Sequence, residues 1–340
     1  MSIYDTKTML DAMNQKKPVF TFLRDTFFPN VKTLITEEAE VDVKKGKRRL
    51  APFVAPRVRG VVVARDGFVT NKIMTPKVAP IRVLTADDLK KRQLGENVYS
   101  SKSPAQRAQQ ILAEDLMDLD EQITRREEWF CSQVLQGEVI DIETEGQIIT
   151  VDFNFENRVD LEDGKKWDEV GSNPLADMEL WRKDKIIKQS GKAPNIVIMA
   201  SDVVDAFLAN EEVQNILDIQ RLNMGVIEPT YKGDGVTFIG RIPKLGVEIY
   251  SYTEFYIDED EEEEKELIPS GTVIMGSTGK GTRYYGSVTQ KENGSWVTYE
   301  GVRIPKYTPD DKNEVDELRL VARPLPVPDD VGSWVVAKVL

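Results

Sequence analysis

The chain has 340 residues, 30% charged and 40% apolar, with a net charge of −13, one cysteine and no histidine. That composition is ordinary for a folded protein and long enough for two or more lobes. The missing histidine excludes Ser-His-Asp and Cys-His catalysis, His-ligated zinc and the facial-triad iron site, and the lone Cys131 excludes an intrachain disulfide.

Charge is unevenly spread. Residues 44–92 hold 14 Lys or Arg and 3 Asp or Glu, a net +11, which leaves −24 for the rest. A basic stretch on an acidic body points to nucleic acid or to an acidic protein surface, such as that of a neighbouring copy. Phe53 and Phe68 are its only aromatics, and it has no nucleic-acid reading motif. No apolar run approaches the length of a bilayer span. The opening Met-Ser-Ile-Tyr-Asp-Thr-Lys lacks a signal-peptide pattern, so a cytoplasmic protein is expected.

Residues 1–33 read as an arm. Thr6 to Gln15 fit a short amphipathic helix, and Phe20, Phe22, Phe27 and Phe28 need burial on the body or on a neighbour. Residues 34–93 read as a basic β-hairpin. Leu34 to Thr36, Ala39 to Val43, Arg57 to Arg65, Phe68 to Thr70, Lys72 to Thr75 and Ile81 to Leu84 have strand character, with turns at Lys45-Gly46-Lys47 and Asp66-Gly67. These strands carry too few large apolar residues to form their own core. The alternative is a sheet edge kept soluble by lysines.

A polar connection, 86–102, leads to the strongest signal in the chain. Ser103 can cap a helix, Pro104 suits its first position and Gly137 can end it, with no Pro or Gly between. Ala108, Leu112, Leu116, Leu119, Ile123, Phe130 and Val134 form one apolar stripe, which Arg126 and Glu127 interrupt. Asp120, Glu127 and Glu128 are placed with the acids of the other faces. A helix over 104–136 would be about 50 Å long, a spine for an elongated subunit rather than a coiled coil. Cys131 beside the stripe reads as a buried, inert thiol.

Val139 to Ile142 and Gln147 to Phe155 suggest a hairpin beside this helix, within a unit spanning 94–165. A second lobe, 166–310, follows. It is expected to hold a helix from Asp177 to Ser190 ended by Gly191, a buried strand Asn195 to Met199, helices capped by Ser201 or Asp202 and over Glu211 to Leu222, and then strands over 235–240, 247–252, 255–257, 266–268, 272–276 and 283–288. Strands over 317–324 and 333–340 return within a last segment, 311–340, to the 94–165 unit.

Three motifs carry no chemistry. Gly276-Ser277-Thr278-Gly279-Lys280-Gly281-Thr282 has two residues where a phosphate loop needs four, and Gly281 where it needs Ser or Thr, so it reads as a turn. The seven acids from Asp258 to Glu264 lack the alternation of a calcium loop and read as a solvated tip. Asn293-Gly294-Ser295 reads as a turn rather than a glycosylation site. No catalytic residue, cofactor or metal is assigned.

The ordered set of segments resembles the phage lambda-type major capsid protein E family. The residues that carry this are Met1 to Thr6, Phe22 to Phe28, Thr75-Pro76-Lys77, Asn195 to Ile198, Val273 to Thr278 and Arg323 to Asp330. The resemblance implies the α+β Hong Kong 97 phage capsid fold, in which 34–93 is the E-loop, 94–165 the P-domain with its spine helix 104–136, and 166–310 the A-domain. It implies a structural protein of the virion, assembled in the host bacterial cytoplasm into pentamers and hexamers of an icosahedral shell around packaged double-stranded DNA. Implied partners are a scaffold, a portal and a protease, with a decoration protein in some lambda-type shells. No crosslinking residues carry over. Arg57, Arg59, Arg65, Lys72 and Lys77 are the expected cations of the docking flap, and Glu114, Asp118 and Glu121 the acids of the neighbour's helix that receive it. An encapsulin-like compartment of the same fold and a carboxylate-dependent glycan hydrolase are the alternatives.

Overall fold

The computed structural model describes residues 21–43, 69–90, 103–144, 147–218, 226–233, 235–258, 263–292, 294–310 and 312–340. The fold is mixed α+β. Its longest element is the helix Pro104–Gln136, 33 residues between the two sequence signals that set its ends. The Ser103 hydroxyl accepts from the Gln106 amide at 3.3 Å while the Gln106 side chain accepts from the Ser103 amide at 2.9 Å. At the far end Gly137 takes φ +69° and its amide bonds back to the helix. A side chain there would be strained, and its Cβ would lie 2.2 Å from the Phe155 ring.

The helix spans two cores. Leu112, Leu116, Leu119 and Ile123 pack with Leu318, Leu320 and Ala322. The latter come from an antiparallel sheet ordered Ile304–Asp310, Val315–Val321, Ile81–Thr85. Phe130, Cys131, Val134 and Leu135 enter the main core instead. That core surrounds a seven-stranded sheet ordered Arg158–Asp160, Trp334–Lys338, Thr272–Gly276, Ile196–Met199, Val247–Tyr252, Val236–Ile242, Val226–Gly233. Its central strands 196–199 and 272–276 are buried along their whole length, which is why they read as unbroken apolar runs. Trp167 stacks on Trp181 at 5.9 Å beneath helix Pro174–Leu180, whose cap is Asn173. That helix continues through a π-helical turn, Trp181–Ile187, to Ser190, and Gly191 ends it.

Several local readings change. Leu34 to Thr36 form a bend, and the strand lies earlier, at Asn30–Thr33, parallel to Gly281–Tyr285. Ser201 and Asp202 do not cap the helix Ser201–Ala209. Asp202 instead accepts from the Ser270 hydroxyl and the Gly271 amide, tying that helix to the turn before the central strand 272–276. The short ribbon is Phe255–Ile257 with Glu264–Glu266, because Leu267 and Ile268 turn into the core. The Gly276 to Thr282 motif is a turn between strands: a Cβ at Gly281 would lie 2.1 Å from Phe28. Gly294 sits at φ +84° in the turn of hairpin Val288–Glu292 with Ser295–Tyr299. Hairpin Ile140–Thr144 with Gln147–Val151 forms as expected, with Ile140 and Val151 in the main core.

Candidate functional site

The interruption in the helix stripe is a buried charge cluster. Glu127 follows Ile123 by four residues and precedes Phe130 by three, so it occupies a core-facing position. Its side chain is 2% exposed. Arg24 donates to it at 3.1 Å and Arg303 at 2.6 Å. Arg303 also donates to Asp120 at 2.8 Å and to the Thr124 hydroxyl at 3.2 Å. Burial works against the charge on both groups. The facing arginines nevertheless hold Glu127 below the usual carboxylate range, and Glu127 raises Arg303. Stranding one charge of such a buried set costs about 3–5 kcal/mol.

Glu128 serves a second purpose. It accepts from the amides of Leu23 at 2.7 Å and Arg24 at 2.9 Å, and from the Tyr252 hydroxyl at 3.0 Å. The long helix thus supplies the cap for helix Phe22–Phe27, whose own Thr21 side chain caps nothing. Burial pushes the Glu128 carboxyl up despite these donors. Around the clamp, the Phe22 ring meets Tyr250 at 5.2 Å and Tyr252 at 5.8 Å, and Leu23, Phe27 and Phe28 are buried. The phenylalanines at 22, 27 and 28 are therefore covered by the chain's own body. The placing of Asp120, Glu127 and Glu128 on outward faces is corrected: their partners lie more than a hundred residues away in sequence, and helical spacing alone does not reveal them. The one local hint was the acidic pair at the point where the stripe demanded apolar residues.

The expected contact residues lie outside this cluster. Lys72, on strand Val69–Met74, is exposed and stands 3.1 Å from Glu40, its cross-strand neighbour on Glu38–Val43. Lys77 is exposed. Glu114, Asp118 and Glu121 fall at i, i+4 and i+7 on one helix face. Glu114 accepts from Gln110 at 2.8 Å, Asp118 lies 3.9 Å from Arg82, and Glu121 lies 3.5 Å from Arg125. The structure therefore gathers the three acids and sets Lys72 on the base of the hairpin. Arg57, Arg59 and Arg65 lie outside the described residues, as do the Thr6 to Gln15 helix and the Arg57 to Arg65 strand. Cys131 is buried, and its surroundings push its thiol well up, so it is inert as expected.

Among the described residues no helix is long and apolar enough to cross a membrane, and no group of three or more His, Cys, Asp or Glu could hold a metal ion. No curated protein matches the chain. In fold it is similar to a protein of E. coli CFT073 described as a prophage capsid protein, at 20% identity and TM-score 0.73 over 98% of this chain and 99% of that one. It is also similar to a phage-related protein of Bordetella bronchiseptica RB50, at 10% identity and TM-score 0.52 over 98% and 96%. The capsid protein of a native GTA particle aligns at 11% identity and TM-score 0.50 over 95% and 92%. The fold is thus the mixed α+β capsid fold of the Hong Kong 97 type. The family model for phage major capsid protein E matches residues 5–339. A family of shell-building proteins leaves no place for the glycan-hydrolase alternative. The chain belongs to the phage major capsid protein E family.

Proposed function

We propose that this chain is the major head subunit of a tailed double-stranded DNA phage, and that its copies form the pentamers and hexamers of an icosahedral shell around the packaged genome. Residues 1–33 are the arm, 34–93 the E-loop, 94–165 the P-domain, 166–310 the A-domain, and 311–340 the returning strands. Scaffold, portal and protease are its assembly partners, and the DNA is held without sequence-specific contacts.

One observation carries the docking part of this reading. Val43 and Val69 face each other in register at the end of one strand pair. The stretch between them, with eight Lys or Arg and one Asp, therefore leaves and re-enters the body at one place. A basic flap so rooted, on a chain otherwise strongly acidic, is suited to lie on the next copy. Glu114, Asp118 and Glu121 offer the acidic stripe for it.

Electron microscopy and size-exclusion chromatography of the expressed chain, with and without its scaffold, test the reading. Capsomers or uniform shells support it. A monomer at every concentration, with scaffold present, overturns it. Reversing Arg57, Arg59 and Arg65 to Glu should abolish normal shells, and normal shells from that triple variant would sink the flap contact.

A further inference from the structure

The long helix carries a second passenger beside its three-stranded sheet. The ribbon 255–257 with 264–266 pairs Phe255 with Glu266, Tyr256 with Lys265 and Ile257 with Glu264. Alternation sorts it into two faces. The inner face is moored to the helix: the Tyr256 ring lies 6.3 Å from Trp129, and Arg126 reaches Asp258 at 3.1 Å. The outer face shows Phe255 and Ile257, 48% and 59% exposed, with Glu264 and Glu266 beside them.

The outer face of the three-stranded sheet is its counterpart. Leu318 and Arg82 pair in register and both turn toward the helix, Leu318 into the core and Arg82 to Asp118. The alternate positions must then point away. They place Ile81, Arg319 and Lys306 in one row, and Val83, Glu317 and Thr308 in the next. Ile81 and Val83 are each 51% exposed. The Arg319 Nε is buried with no hydrogen-bond partner among the described residues.

Both faces therefore present two apolar side chains at i and i+2 with two like charges on the neighbouring strands, cations on one face and carboxylates on the other. Residues two apart on a strand are spaced by about 7 Å and adjacent strands by about 5 Å. The two patterns share that repeat, so they can mesh face to face. Glu317 is the carboxylate within the sheet rows, and the two cations outnumber it. Single scattered apolar residues need no explanation, but two complementary pairs on one chain do.

Resting on the reading of the chain as a shell subunit, we propose that the ribbon of one copy packs on the outer sheet face of a second copy. Phe255 and Ile257 cover Ile81 and Val83, and Glu264 and Glu266 meet Arg319 and Lys306. Two separate patches are what a head-to-tail contact between identical copies requires.

Cysteine trapping is clean here because Cys131 is buried. V83C and I257C chains would be mixed, assembled and mildly oxidised. A dimer-mass band on a non-reducing gel, present in the mixture and absent from either variant alone, is expected. K306E/R319E and E264K/E266K should each lower the yield of assembled particles at least tenfold, and their combination should restore it. Normal particles from the mixture without the band, together with wild-type yields from both reversals, overturn the contact while leaving the shell reading intact. A band between I257C and A55C in place of V83C overturns it too, by giving the ribbon to the basic stretch. Failure of the wild-type chain to assemble at all removes both readings.

Discussion

Replacing Arg303 by Met tests whether the charge cluster under the long helix holds the subunit together. The guanidinium is 10% exposed and donates to Glu127, Asp120 and Thr124 at 2.6, 2.8 and 3.2 Å. Methionine fills much of the volume, so the loss is electrostatic. Glu127 would keep only Arg24, at 3.1 Å. Stranding a buried charge in this way costs about 3–5 kcal/mol, a large part of the roughly 5–15 kcal/mol that holds a folded domain. Urea unfolding of the dispersed subunit, followed by tryptophan fluorescence and amide exchange, reads the effect. As a control, K244M breaks the Lys244 to Glu179 pair, also 2.8 Å long but with both side chains more than half exposed. It should leave the midpoint unmoved, since solvent screens such pairs. The double variant E127M/R303M should lose less than its two singles together, because neither partner is left alone. If R303M costs under about 1 kcal/mol, the level of an exposed pair, the cluster is not a structural bond and the reasoning fails.

The two neighbouring glutamates should answer acid with opposite signs. Glu127 has a depressed carboxyl in the fold, so its contribution is present above the unfolded value near 4.5 and lost as pH falls through the folded one. Glu128 is raised, so its ionised form opposes folding, and acidifying through its folded value favours the native state until the unfolded value is reached. Unfolding midpoints between pH 3 and 7 should therefore show E127Q flattening the acid loss and E128Q removing the opposing slope; equal slopes in both variants would contradict the assignment. G281A should drive a Cβ into the Phe28 ring, 2.1 Å away, and cost about 1–3 kcal/mol by overpacking. Limited proteolysis should then cut near residues 22–28 faster than in wild type, and an unchanged rate would argue against that contact. Cys131, 1% exposed with a raised thiol, should resist a disulfide reagent at pH 8 until urea unfolds the chain; prompt labelling in the native state would refute its burial.

How much could be read beforehand followed from how local each cause is. The ends of the helix 104–136 were legible because Ser103, Pro104 and Gly137 act within one turn. Strands 196–199 and 272–276 were legible because burial on both faces writes an apolar run. Strand Asn30–Thr33 was not, since all four residues are exposed and only pairing to 281–285 makes it a strand. Strand Ile304–Asp310 was hidden by Pro305 and Pro309, which an edge strand tolerates because its outer amides have no partner. Strand Pro324–Pro328 is likewise an edge, beside 281–285, and carries three prolines. At the candidate site, the exposed acids of the helix could be placed from spacing. The clamp of Glu128 on residues 23 and 24 could not, because a carboxylate that caps a distant helix looks in sequence like one that faces water.

The contrast between these two kinds of charge bears on how a shell subunit can hold its shape while its neighbours change. Residues 22–28 join three bodies at once: the long helix through Glu127 and Glu128, the seven-stranded sheet through Tyr250 and Tyr252, and strand 281–285 through Phe28. Every charge in the Arg24, Glu127 and Arg303 set is partnered and away from solvent, so each is costly to disturb. The outer stripe behaves otherwise. Asp118 and Arg82 are 59% and 46% exposed at 3.9 Å, and Glu121 meets Arg125 within its own helix. Such pairs are weak and screened by salt. A neighbour's cation can therefore replace Arg82 or Arg125 with little change in free energy, and can leave as easily. Firm bonds inside and exchangeable ones outside let copies slide and re-register on one another without unfolding, and they place the direction and order of assembly in the apolar contacts rather than in the salt bridges.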